Sequence, residues 1–199
     1  MFESLLEPAF LEPVRATQET FRVVLDALSE PGLIRMVPEA PALDVLDPAT
    51  YALCLTLLDS DTPVWLAPAF DTSVTRENLA FHCACPVVAR REEAKFALLD
   101  GGQLQDLSMF DTGTDRDPDQ SCTLLIQLPG FEQGSLVTLA GPGIERERSL
   151  RLPVDIGFWE QRKQCIAFPK GLDVFFTSGH SLIGLPRSTR AMFAIKGVL

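Results

Sequence analysis

Chemistry in this chain would have to come from a short set of side chains, and the densest group is the stretch FHCACP, which sets His82 beside Cys83 and close to Cys85. Imidazole and thiolate are zinc ligands, but a zinc site commonly takes them as two spaced pairs. No second pair stands elsewhere, and the only other histidine is His180. The cysteines therefore read as small apolar groups packed at a helix end. His180 lies between Ser178 and Ser181 in a tight turn. A turn tip is solvated, which suits a Ser–His–Asp arrangement poorly, and no serine sits in a nucleophile-elbow pattern.

Three further groups could meet an anion or a proton. Gly141, Pro142 and Gly143 follow a strand-like run, as a phosphate-cradling loop would. However, Pro142 removes one donor, and the alternating charges from Glu145 to Arg148 read as a solvated strand or turn. Arg187 and Arg190 flank Ser188 and Thr189, and two guanidiniums with two hydroxyls make a credible oxyanion pocket; the plainer alternative is a surface or interface patch. Asp59 and Asp61 stand at a helix-to-strand turn, where carboxylates usually cap or form turns. Schiff-base chemistry needs a desolvated lysine. The four lysines are Lys95, Lys163, Lys170 and Lys196. None has a clear apolar setting: Lys95 follows three charged residues at the start of a strand, Lys163 adjoins Arg162, Lys170 lies in a loop between Pro169 and Gly171, and Lys196 is near the C-terminus.

The elements that position these groups follow from periodicity. Glu12 to Glu30 predicts an amphipathic helix with Pro13 in its first turn and an apolar stripe of Val14, Phe21, Val24, Leu25 and Leu28, stopped by Pro31 and Gly32. A short strand, Leu33 to Val37, follows. Asp47 and Pro48 open a helix, Ala49 to Leu58, that is apolar on most faces and so belongs in the centre. Ser60 to Leu66 turns into a strand, and Asp71 to His82 predicts a helix capped by Asp71, Thr72 or Ser73. Phe96 to Leu99, Thr123 to Leu128 and Leu136 to Ala140 read as strands, with a short helix over Gln103 to Met109 and a loop over Asp111 to Ser121. Pro153 to Gln164 reads as a helix, and Val174 to Thr177 with Leu182 to Leu185 as a hairpin. Early alternation and late hairpins predict an α/β fold: a mixed β-sheet flanked by helices, in one domain over residues 1–199.

Composition narrows the function classes. The formal net charge is −10, which argues against nucleic acid and anionic membranes as partners. It also disfavours the chain as the main binder of an anionic substrate. Five cysteines, an odd number, in a chain of this size predict reduced thiols, and the start carries no signal-peptide pattern. No apolar run reaches the roughly 20 residues of a membrane helix. The expected location is the cytoplasm.

Several blocks, in order, resemble the PhnH family of phosphonate metabolism. They are SDTPVWL over Ser60 to Leu66, the Ser29-Glu30-Pro31-Gly32 helix stop, Phe81-His82 with Pro86 four residues on, and FPKGLDVFFTSGHSLIGLPRST over Phe168 to Thr189. The resemblance implies a mixed α/β fold like a reduced pyridoxal-phosphate (PLP)-dependent transferase, without the cofactor or its lysine. It also implies a homodimer when isolated, and a place beside PhnG, PhnI and PhnJ subunits in the carbon–phosphorus lyase core complex. That complex attaches phosphonates to a ribose triphosphate and later cleaves the carbon–phosphorus bond by a radical iron–sulfur step. Such a step needs a cysteine cluster, which this chain lacks, so it would fall to a partner. The expectation is a non-catalytic assembly subunit with no cofactor and no metal. Asp59, Asp61, His82, Arg187 and Arg190 are the residues expected at any vestigial ligand pocket. The alternatives are a free-standing transferase or hydrolase on the same fold, and a homodimeric scaffold for an unrelated partner.

Overall fold

The computed structural model describes residues 5–38, 40–103 and 106–193. The first helix, α1 (Pro13–Ser29), begins on the proline, whose missing N–H is one that a helix start leaves unpaired anyway. Strand β1 (Arg35–Met36) follows. Helix α2 (Pro48–Leu57) is buried from Ala49 to Cys54, as its all-round apolar pattern requires. Strand β2 (Val64–Leu66) leads to α3 (Ser73–Cys83), where the Thr72 hydroxyl accepts from the Thr75 amide at 3.0 Å. Ala84 then turns into the left-handed region, φ 56°, and ends the helix.

Strands β3 (Phe96–Asp100), β4 (Thr123–Gln127) and β7 (Asp173–Ser178) run parallel to β2 in the register Val64–Phe96–Thr123–Asp173. Their centres are buried on both faces, which is why they read as unbroken apolar runs rather than alternating ones. Strand β8 (Ser181–Leu185) folds back on β7 through the two-residue turn Gly179–His180, and β1 pairs antiparallel with β8. The sheet order is β1-β8-β7-β4-β3-β2, a mixed sheet as expected. Between β4 and β7 the chain makes a second, antiparallel sheet of β5 (Ser135–Ala140), β6 (Arg148–Leu152) and, from after β8, β9 (Arg190–Phe193). Neither β6 nor β9 was expected as a defined strand. Both carry exposed polar or charged side chains on one face and are short.

Helix α4 (Ile156–Cys165) packs on the main sheet through aromatic contacts, with Phe158 and Trp159 lying 5.9 and 6.0 Å from the Phe176 ring. Successive strand residues point to opposite faces. Thr177, next to Phe176, meets Thr50 of α2, so α2 and α4 cover opposite faces. Of the helix expected over Gln103 to Met109, Leu107–Met109 forms one 3₁₀ turn, and residues 104 and 105 lie outside the described residues.

The α1 stripe departs from expectation. Thr20, Val24 and Ala27 are the residues it buries, while Val14, Phe21 and Leu25 stay exposed. The cause is a close approach. A Cβ on Gly184 of β8 would lie 2.5 Å from the Ala27 carbonyl, so glycine there lets the helix backbone settle on the strand. Small side chains suit that contact, and the bulkier stripe is rotated outwards.

Candidate functional site

Open α/β sheets usually seat ligands beyond the carboxyl ends of their parallel strands. Here the chain's own side chains fill the ends of β4 and β7. The Gln127 carbonyl oxygen accepts from the Asp47 amide and the Thr50 hydroxyl, each at 2.8 Å, and its amide donates to Val45 O at 3.0 Å. The Thr50 and Thr177 hydroxyls lie 2.7 Å apart, both residues fully buried. The Asp47 side chain, expected to cap α2, does not bond its own helix. Its carboxylate accepts instead from the Gly179 amide at 2.8 Å, and Gly179 O accepts from the Ala49 amide at 2.8 Å. The N-terminus of α2 is thereby bolted to the β7–β8 turn, and its first free amide is used up.

A second polar knot sits at the opposite end of the strands. Asp173 opens β7, and Arg187 follows β8. The carboxylate accepts from the Arg187 backbone amide at 2.7 Å and from its guanidinium at 3.1 Å (Nε) and 2.5 Å (Nη2). The same guanidinium donates to Pro118 O. On the other side, Arg162 of α4 donates to Pro186 O at 2.9 Å and Thr189 O at 3.0 Å, gripping the turn that the Thr189 amide closes on Pro186 O. Arg162 is almost wholly buried, and burial pulls its guanidinium down to about 10, partly opposed by the charge of Asp173. The Phe168–Thr189 block is therefore an architectural unit: its Asp173 and its Arg187 bond each other.

A third group joins the N-terminal segment to α3. Buried Asn78 accepts from the Glu7 amide at 2.8 Å and donates to Leu5 O at 2.7 Å and Val74 O at 2.8 Å. The His82 ring lies 3.0 Å from Glu7 O and edge-on to Phe81. The Cys83 thiol donates to Cys54 O at 3.5 Å and the Cys85 thiol to Leu79 O at 3.8 Å. All five cysteines are free thiols. Burial pushes Cys54 and Cys122 far up from the usual thiol range, and the hydrogen bond to Cys85, with burial, does the same to Cys83. Among the described residues no group of three or more His, Cys, Asp or Glu converges as metal ligands would.

The five residues expected at one pocket do not form one. Asp59 and Asp61 share a turn in which the Asp59 carboxylate accepts from the Asp61 amide at 2.9 Å, so they are turn formers. His82 lies at the end of α3. Arg187 is spent on Asp173 and Pro118. Arg190 is exposed in β9, opposite Ala140. Arg187 follows β8 and Asp59 precedes β2, four strand positions away, which is about 19 Å at ordinary strand spacing. Two clefts lie elsewhere. One of about 450 Å³ is lined by Ile34, Phe131, Glu132, Pro153 and Ser181. An open groove of about 860 Å³ runs beside Glu12, Arg15 and Glu19.

Of the lysines, the Lys95 ammonium donates to Gln120 O at 2.7 Å, Lys170 pairs with Asp115 at 3.2 Å, and Lys163 is exposed. Lys196 lies outside the described residues. Sequence reasoning missed Asn78, Gln127, Arg162 and Asp173 as organising residues. Only Arg162 and Asp173 carried a signal, as charges inside or beside apolar runs, where an unpaired charge is costly.

Among the described residues no helix is long and apolar enough to cross a membrane. The family described as bacterial phosphonate metabolism protein (PhnH) matches residues 8–192. The chain is similar to the alpha-D-ribose 1-methylphosphonate 5-triphosphate synthase subunit PhnH of Rhizobium meliloti (strain 1021), 34% identical over 188 residues that cover 92% of this chain and 93% of that protein. It is also 33% identical over 174 residues to the putative C-P lyase subunit protein HtxG of Stutzerimonas stutzeri, covering 86% of this chain and 84% of that one. On a match spanning nearly the whole chain, this chain belongs to the PhnH family of bacterial phosphonate metabolism proteins.

Proposed function

We propose that this chain is a non-catalytic subunit of the carbon–phosphorus lyase machinery, working in the cytoplasm by contact with PhnG, PhnI and PhnJ partners while they join a phosphonate to a ribose triphosphate. The observation that carries the reading is the near full-length match to a protein named as a synthase subunit. The geometry agrees with it. Gln127, Thr50 and Asp47 occupy the strand ends where a small ligand would otherwise sit, so residues 1–199 are read as one unit whose product is a surface rather than a pocket. The reading further holds that the isolated chain pairs with itself, and that its scaffold is a reduced PLP-dependent transferase. The net charge of −10 supports protein partners over nucleic acid or membrane.

The test is genetic. A bacterium lacking this chain should fail to grow on an alkylphosphonate as its sole phosphorus source and should recover when the chain is restored. Unimpaired growth of the deletion strain, or turnover of a phosphonate by the purified chain alone, contradicts the reading. A pyridoxal aldimine absorbance band lost on substituting one lysine would contradict it too, in favour of a free-standing transferase.

A further inference from the structure

Phe168 is the most exposed aromatic side chain among the described residues, at 77%. It stands in the turn between α4 and β7, after Ala167 and before Pro169 and Lys170. Turns favour Gly, Pro, Asn, Asp and Ser, each for a backbone reason, and a phenyl ring left in water gains nothing from the hydrophobic effect. The turn itself is firmly closed. The Lys170 amide donates to Ala167 O at 3.0 Å, and the Ala167 amide to Lys170 O at 3.2 Å. At its base the Gly171 amide donates to Thr112 O at 2.9 Å, and the Lys170 ammonium pairs with Asp115 at 3.2 Å. A Cβ on Gly171 would lie 2.9 Å from the Arg187 Cβ, so the turn sits against a residue that staples the β7–β8 hairpin. Phe168 is thus an exposed ring on a braced mount. Aromatic anchors dominate the binding energy of many protein interfaces, and a mount ordered beforehand loses little freedom on binding.

The charges around the mount say what fits it. The loop that braces it, Asp111 to Ser121, holds four aspartates and one arginine. Asp115 is taken up by Lys170, and the Lys95 ammonium donates to Gln120 O rather than to a carboxylate. Asp117 and Asp119 are exposed. Arg116, itself 93% exposed, stays 4.0 Å from Asp117, and the Asp119 carboxylate accepts from the neighbouring Gln120 side chain at 3.2 Å. Two carboxylates in the loop that braces an apolar ring call for a partner offering an apolar pocket with Lys or Arg at its rim. A second copy of this chain does not offer one. Its 450 Å³ cleft carries Glu132, and its groove carries Glu12 and Glu19, whose intervening Arg15 is already held by Glu19.

We propose that the Ala167–Lys170 turn is a plug by which this chain docks on another subunit: the Phe168 ring enters an apolar pocket there, and Asp117 and Asp119 meet Lys or Arg side chains at its rim. The inference rests on the assembly role proposed above and gives that role an address. The ring supplies the attraction, and the carboxylates set the rate of encounter and the orientation.

The test uses the full chain against co-expressed PhnG, PhnI and PhnJ, with affinity and rates read by surface plasmon resonance. Phe168→Ser should weaken binding about tenfold or more, mostly through faster dissociation. Its circular dichroism spectrum and melting should match the parent, because the side chain is exposed. Asp117→Asn with Asp119→Asn should slow association several-fold at low salt and leave it unchanged at about 0.5 M salt, where such charges are screened. A Phe168→Ser chain that binds the partners as the parent does overturns the inference alone and leaves the assembly role standing. A parent chain that binds none of them overturns both. A loss confined to self-association also overturns the inference, since the ring would then meet a second copy. Association unchanged in the double variant at low salt overturns the charged rim.

Discussion

The Asp173 carboxylate and the Arg187 guanidinium bond each other in a fork, with Nε at 3.1 Å and Nη2 at 2.5 Å from Oδ2, and the Arg187 amide closes the ring on Oδ1 at 2.7 Å. The two residues bracket the β7–β8 hairpin, so the pair staples its open end. Both side chains are largely buried, at 17% and 20% exposure. Removing one partner would leave the other charge poorly solvated. Asp173→Ala should therefore cost about 2–3 kcal/mol in urea unfolding. Arg187→Lys should recover only part of the loss incurred by Arg187→Ala, because an ammonium cannot reproduce the fork. A cost for Asp173→Ala below about 0.5 kcal/mol, the scale of an ordinary surface change, contradicts this role.

The network at the ends of β4 and β7 should be as sensitive. Thr50→Val keeps the volume and deletes the hydroxyl that links Gln127 to Thr177. Fully buried Thr177 then loses its partner, and half-buried Gln127 loses one of two donors to its carbonyl oxygen. A loss of about 1–3 kcal/mol is expected in thermal or urea unfolding, with no gain of affinity for inorganic phosphate. Measurable phosphate binding by Thr50→Val would mean that the network covers a latent site.

Asn78 holds the N-terminal segment by two bonds, to the Glu7 amide and to Leu5 O. Asn78→Ala should free that segment without unfolding the sheet. Hydrogen exchange should then speed up at the Glu7 amide while the amides of β4 and β7 stay protected. Equal acceleration in both places would make Asn78 a core residue rather than a clasp.

One acid-side effect has a defined sign. The Arg76 hydrogen bond holds the Asp71 carboxyl below its ordinary value of 3.8. A lowered carboxyl pKa means that the unfolded chain binds more protons, so the contribution is present above about pH 4 and is lost as pH falls through the folded value. The pair is 48% and 35% exposed, which limits it to about 0.2–1 kcal/mol. Asp71→Asn should lower stability at pH 7 by that amount, with the difference from the parent closing as pH falls below about 4. An unchanged acid slope would remove the pair from the account.

How much of this was legible in the sequence depends on what each residue touches. The strands around Leu98, Leu125 and Phe175 were readable because parallel strands buried on both faces must be apolar throughout. Strands β6 and β9 were not, because Arg148, Arg151 and Arg190 interrupt their pattern. The first helix was readable as a helix but not in its facing. The contact set by Gly184 turns Thr20 and Ala27 inwards, and no periodicity reports how closely a sheet approaches. Arg187 was readable as a cation, and the pocket drawn around it failed because its partner Asp173 lies across a hairpin. Gln127 and Asn78 gave no signal, since a single amide beside apolar residues does not say whether it will be buried and bonded or exposed.

The central claim is that the chain works as a part of a larger assembly. Native mass measurement of the chain co-expressed with PhnG, PhnI and PhnJ tests it most directly. The account predicts one stable complex that contains this chain in fixed proportion to the other three. Recovery of the three partners as a complete complex, with this chain running free beside it, would contradict the claim.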